Sequence, residues 1–268
     1  MTTTPSAIAA TPPQGGGEPL LVIERITKAF GDNVAVDAVS LTIEQGGVVG
    51  LIGSNGAGKT TLVNLVSGLF RADSGSVTFE GRDITHLSVN ERIRAGIARS
   101  FQLVNLFDQM SVLDNVALTV FAREGKTGDM LCPAEADGAV RDEALAVLRQ
   151  FGVHAKAETP ASELAQGERK LLDVAVACAL RPRLLFLDEP TSGVSTREKA
   201  PIMDIVTSIV RSGAITAVII EHDMDVVFRY SDRIVAMHQG RILADGTPDE
   251  IRANDEVTTT LLGEHVHQ

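Results

Sequence analysis

Two hydrophobic periods alternate along this chain. In "VSLTIE", Val39, Leu41 and Ile43 alternate with Ser40, Thr42 and Glu44, and "SVTFE" repeats that period with Val77 and Phe79. A period of two predicts strands with one dry face and one wet face, the habit of antiparallel sheets. Four other runs, "VVGLI" (48–52), "LLFL" (184–187), "AVII" (217–220) and "RIVAM" (233–237), are apolar without alternation. Strands covered by helices on both faces read this way, so they predict the core of a largely parallel α/β sheet. Apolar positions at helical spacing over 111–123 and 135–151, among them Leu145, Leu148 and Phe151, predict a small helical subdomain. Residues 167–181 are apolar on nearly every side after the first turn, which predicts a buried helix beginning near Gly167.

The expected organisation is a tail over residues 1–19, one domain over 20–263 with its helical subdomain at about 103–181, and a short tail over 264–268. The first tail is rich in proline, contains "GGG" and has no Lys or Arg, so it lacks both the basic start and the apolar centre of a secretory signal. No apolar run approaches the roughly 20 residues that span a bilayer, so a membrane role is expected to come through a partner. A formal net charge of -11 argues against a nucleic-acid partner, because neutralising phosphates needs clustered Lys and Arg. The two cysteines, Cys132 and Cys178, are far apart and imply neither a disulfide framework nor a zinc site.

Between the strand at 48–52 and an amphipathic segment lies Gly53-Ser54-Asn55-Gly56-Ala57-Gly58-Lys59-Thr60-Thr61, which fits G-x-x-x-x-G-K-[ST]. Average residue usage yields that pattern by chance on the order of once in a hundred chains of this length. Glycines let the backbone turn its N–H groups around a phosphate, a helix N-terminus adds positive potential, Lys59 supplies a point charge, and Thr60 can ligate Mg²⁺. The partner element is "LLFLDEP", an apolar strand that delivers Asp188 and Glu189 at its carboxyl end, where ligands bind in open α/β sheets. Asp188 is suited to hold Mg²⁺ through water, and Glu189 to orient or deprotonate an attacking water.

With "SFQ" carrying Gln102, "LAQGERK" at 164–170, "SGVS" at 192–195 and "IIEHD" carrying His222, these motifs fall in an order that resembles the ATP-binding subunits of ABC transporters over residues 20 to 263. The resemblance implies an α/β fold of the P-loop NTPase class, with a mainly parallel sheet, an antiparallel β subdomain and a helical subdomain. It implies ATP and Mg²⁺ as ligands, Phe30 stacked on adenine, Gln102 contacting Mg²⁺ or the attacking water, and His222 holding Glu189 and that water in line with the γ-phosphate. It also places the Ala165-Gln166-Gly167 segment against the ATP of a second subunit, the same or homologous, in a head-to-tail pair. Two membrane-spanning permease subunits and an extracytoplasmic solute-binding protein are the further partners implied, with the chain at the cytoplasmic face of the membrane. The sequence departs from the usual pattern where Ala165 and Gln166 stand in place of Ser and Gly, and where Ser195 stands in place of Asp.

"GIARSFQLVNLFDQMSVLDNV", "IIEHDMDVV" and "GTPDEIRANDEVTTTLLGEH" are similar, in particular, to the ATPases of branched-chain amino-acid importers. Related transporters of urea, short amides or lipopolysaccharide share the closing segment, and ABC ATPases that work without a membrane are the more distant alternative. The latter commonly carry two nucleotide domains or long coiled-coil or basic insertions, which this chain lacks.

Overall fold

The computed structural model describes residues 18–100, 106–125, 138–213 and 215–262. A hairpin of two long strands, β1 (Pro19–Phe30) and β2 (Asn33–Glu44), leads into β3 (Val48–Ile52) and α1 (Lys59–Ser67). Next come β4 (Ser74–Phe79), β5 (Arg82–Asp83), α2 (Val89–Ala95) and β6 (Ile97–Ser100). Three helices follow, α3 (Val112–Arg123), α4 (Gly138–Gln150) and α5 (Gln166–Ala179). The chain then alternates through β7 (Leu184–Asp188), α6 (Thr196–Ser212), β8 (Thr216–Ile220), α7 (Met224–Tyr230) and β9 (Arg233–His238). Then come β10 (Arg241–Gly246), α8 (Pro248–Arg252), α9 (Asp255–Val257) and a π-helical turn over Thr258–Leu262.

The two periods in the sequence sort into two sheets. The alternating strands form an antiparallel sheet in the order β2-β1-β4-β5, and the uniformly apolar ones a second sheet in the order β10-β9-β3-β8-β7-β6. In the second sheet β9, β3, β8, β7 and β6 run parallel, and only the edge strand β10 is antiparallel. The dry face of the first sheet, with Leu21, Ile23, Leu41, Ile43, Val77 and Phe79, packs on Val49, Leu51, Phe186, Val218 and Val235 of the second and on Leu62 and Val66 of α1. The other face of the parallel sheet, through Leu185, Leu187, Ala217 and Ile219, meets α5 and α6.

That second core does not stop at the sheet. It continues from Leu172 and Ala175 of α5 to Val116 and Val120 of α3, Ala144 and Leu148 of α4, and Phe151. The helical region therefore shares its core with the parallel sheet, and α5 belongs to both. Arg123 fastens the three helices from outside, donating to both oxygens of Glu143 at 2.7 and 2.8 Å and to the Ala179 carbonyl at 2.8 Å.

Helix α5 begins one residue earlier than its apolar pattern indicates. The Arg169 N–H donates to the Ala165 carbonyl at 2.9 Å, which makes extended Ala165 the cap. Glu168 in the first turn accepts the Ala165 N–H at 3.0 Å, the reciprocal half of a capping box. Among the described residues no helix is long and apolar enough to cross a membrane. Tail residues 1–17 and 263–268 lie outside the described residues.

Candidate active site

Strands β3, β8 and β7 are neighbours, so the loops that leave their carboxyl ends lie side by side. The first is the glycine loop. Gly58 caps α1 at φ 100°, and the N–H groups of the residues that follow it have no carbonyl one turn back to bond. A β-carbon at Gly58 would sit 2.4 Å from the Ala35 carbonyl oxygen, and one at Gly53 would sit 2.4 Å from that of Met237. The loop's path is therefore open only to glycine at both ends. Ala57 is buried between them, and its N–H closes a tight turn on the Ser54 carbonyl at 3.1 Å.

Lys59, the first residue of α1, folds back into this loop and donates to the carbonyls of Gly53 at 2.5 Å and Ser54 at 3.1 Å. Burial pulls its ammonium below the ordinary lysine range, opposed by the charges of Glu189 and Asp188, which favour the protonated form. The two carboxylates are thus electrically part of the same site as the glycine loop.

Asp188 ends β7 and is buried; one of its oxygens accepts from Arg99 on the adjoining strand β6 at 2.5 Å. Arg99 also donates to Asn64 on α1. Glu189, next along, has φ 49°, a conformation uncommon outside glycine. Its carboxylate Oε1 lies 3.3 Å from Nε2 of His222, which follows β8. Thr60 is exposed at the start of α1. Thr60 and Asp188 offer hard oxygen ligands, and among the described residues no cluster of three or more His, Cys, Asp or Glu could cage a metal. That donor set fits Mg²⁺, which keeps waters and takes one or two protein oxygens beside substrate phosphates.

Phe30, at the end of β1, is 46% exposed and stands edge-on to Phe70 with ring centroids 5.3 Å apart. The Lys28 ammonium lies 5.6 Å from the centroid of the Phe30 ring. Ala165 and Gln166 are exposed at the start of α5, away from the glycine loop's own carboxylates, with the Gln166 amide over the turn at Gly193. Ser195 caps α6 and donates its hydroxyl to Glu198 at 2.5 Å, so a helix-capping pair occupies this departure from the motif. Gln102 lies outside the described residues; β6, the strand that leads to it, borders β7.

Three side chains that hold the carboxylate loop escape the motif reading: Arg99, Lys170 and Glu221. Lys170 donates to the Glu189 carbonyl at 3.1 Å and to the Ser192 hydroxyl at 2.9 Å. Glu221, buried directly after the apolar β8, accepts the Thr191 N–H at 2.9 Å and its hydroxyl at 2.5 Å, and the His222 N–H at 3.1 Å. A charge inside or beside an otherwise apolar run was the available signal in each case.

Residues 36–192 match the family model described as ABC transporter. The chain is 36% identical over 253 residues to the high-affinity branched-chain amino acid transport ATP-binding protein LivG of Salmonella typhimurium, covering 92% of this chain and 99% of that protein. It is 37% identical over 229 residues to the sulfate/thiosulfate import ATP-binding protein CysA 2 of Shewanella oneidensis, covering 85% of this chain and 62% of that protein. Among solved structures, the ADP conformation of MJ1267, an ATP-binding cassette of an ABC transporter, superposes with a TM-score of 0.80 at 30% identity, covering 94% of this chain and all of that one.

Proposed function

The chain belongs to the ABC transporter family, and we propose that it hydrolyses ATP as the engine of a solute importer whose solute is a branched-chain amino acid. The observation that carries the hydrolytic half is the contact between His222 and Glu189 at 3.3 Å, beside a loop built to hold phosphates. The end-to-end match to LivG, against a partial match to the sulfate relative, supports the choice of solute.

The adenine base stacks on the exposed ring of Phe30, and the β- and γ-phosphates take the place of the carbonyls that Lys59 now reaches. The N–H groups of Gly56 and of Gly58 to Thr61 line the phosphates, so their charge is met by dipoles already in position. Thr60, Asp188 and Gln102 would hold Mg²⁺, which would supply positive charge to offset that of the phosphates. Glu189 accepts a proton from a water as its oxygen forms a bond to the γ-phosphorus and the bond to the bridging oxygen breaks, giving ADP and phosphate. His222 keeps Glu189 and the γ-phosphate in line, a positioning role.

Ala165, Gln166 and Gly167 face the ATP of a second ATPase subunit, and a closed two-fold arrangement completes both sites at once. The pair works at the cytoplasmic face of the membrane on two permease subunits, with an extracytoplasmic solute-binding protein delivering the amino acid. The test is uptake by vesicles reconstituted with this chain, a second ATPase subunit, two membrane-spanning permease subunits and a solute-binding protein. ATP-driven leucine uptake that requires this chain is expected. Uptake of sulfate or urea in place of leucine would overturn the solute assignment.

A further inference from the structure

Glu189 sits at φ 49°, where its own β-carbon opposes the backbone, and such a conformation persists only when the surroundings impose it. Its N–H is fixed on the Ile220 carbonyl at 2.8 Å. Its carbonyl is fixed by Lys170, whose ammonium also reaches the Ser192 hydroxyl, so one side chain ties the first residue of the turn to the fourth. Lys170 is 3% exposed and lies in the second turn of α5, beside the buried Leu171 and Leu172. An ammonium is costly to bury. Packing alone would be served by a third apolar residue, and the donors of Lys170 go instead to the turn that carries Glu189.

We propose that Lys170 is a positioning residue for hydrolysis: it holds the peptide that aims the Glu189 carboxylate, and it makes that aim depend on the placement of α5. The inference rests on the reading of Glu189 as the hydrolytic carboxylate. Lys170 touches no substrate. Without Lys170 the Glu189 carbonyl keeps only the Ser192 N–H, at 3.1 Å within the same turn, and the turn loses its tie to α5; a misplacement of the carboxylate by about 1 Å costs on the order of a hundredfold in rate. The ammonium and the Ala165-Gln166-Gly167 segment ride on one helix, so a shift of α5 moves both. Glu221 grips the same turn from β8, but at Thr191, two residues beyond Glu189.

The test compares Lys170→Met, Lys170→Arg and Glu189→Gln by steady-state ATP hydrolysis and by ADP binding in calorimetry. Lys170→Met is expected to bind ADP within about twofold of the parent, keep its KM, and lose roughly 10- to 100-fold in kcat, the signature of an interaction needed only in the chemical step. Lys170→Arg, which keeps a charged donor, is expected to regain most of that loss. Lys170→Gln, uncharged and shorter, carries the same expectation as Lys170→Met should the methionine variant fail to fold. A kcat within about threefold of the parent, a parallel fall in kcat and ADP affinity, or no recovery by Lys170→Arg with ADP binding intact would overturn the proposal. Glu189→Gln separates the two readings: if it still hydrolyses ATP, the role of Glu189 fails; if it is inactive while Lys170→Met is active, only the role of Lys170 fails.

Discussion

The glycine loop and the carboxylate loop leave the carboxyl ends of β3 and β7, strands separated only by β8, and are held by different means. The glycine loop keeps its shape through what is missing: at Gly53 and Gly58 a single added carbon would collide with a carbonyl oxygen 2.4 Å away. The carboxylate loop keeps its shape through what is added. Lys170 from α5, Glu221 from β8 and Arg99 from β6 each reach across the fold to one of its residues. The glycine loop is walled by backbone carbonyls of β2, at Ala35, and of β9, at Met237, and keeps its path while those strands stay in place. A loop gripped from three elements is sensitive to how those elements sit, which suits the coupling to a second subunit and a permease proposed above.

The largest effect is expected inside the glycine loop. Lys59→Ala removes the loop's only side-chain cation and should abolish ATP binding at millimolar nucleotide, measured by calorimetry; unchanged affinity would reject the phosphate-loop assignment. Gly58→Ala and Gly56→Ala then separate sterics from backbone preference. Both glycines have positive φ, but a β-carbon at Gly56 meets nothing within 4 Å. Gly56→Ala should cost about 1–2 kcal/mol from the left-handed conformation alone. Gly58→Ala should cost clearly more and lose nucleotide binding. Equal effects in thermal and nucleotide titrations would show that close approach is not what shapes the loop.

A smaller effect is expected from the grip on the carboxylate loop. Glu221→Ala strands the N–H and hydroxyl of Thr191, at about 1–3 kcal/mol for each unpaired buried group. Melting should fall by about 2–4 °C for each kcal/mol lost. Glu221→Gln keeps an acceptor oxygen and should lose less. If both variants melt with the parent, the carboxylate loop is held by something other than these bonds.

The smallest effect belongs to the face presented to a second subunit. Under the proposed pairing, Ala165 offers an opposing phosphate no hydroxyl, which leaves the backbone N–H groups and the Gln166 amide at the start of α5. In a Glu189→Gln background, Ala165→Ser should tighten ATP-driven dimerisation by up to about tenfold, the factor that roughly 1.4 kcal/mol corresponds to. An unchanged or weaker constant in analytical ultracentrifugation would mean that residue 165 does not face that phosphate.

What could be read from the sequence follows the same division. The glycine loop was legible because the glycines, Lys59 and Thr60 sit within one short stretch between a strand and a helix, although the carbonyls that enforce Gly53 and Gly58 lie far off at Met237 and Ala35. Asp188 and Glu189 were legible because they end an apolar strand, and the alternating and uniform hydrophobic patterns separated the two sheets. The grip on Glu189 was not legible, since Lys170, Glu221 and Ser192 are distant in sequence and only the register of β7 with β8 and the docking of α5 bring them together. The shared core of α3, α4 and α5 with the parallel sheet was hidden for the same reason: helical spacing marks an apolar face without naming what covers it.

The most direct test of the account is Glu189→Gln, followed by sedimentation and by phosphate release in the same samples with ATP. The expected result is retained ATP binding, hydrolysis nearly stopped, and a particle of two chains that holds its nucleotide, because closure no longer leads to cleavage. A monomer that continues to release phosphate would contradict both the role given to Glu189 and the paired architecture built around it.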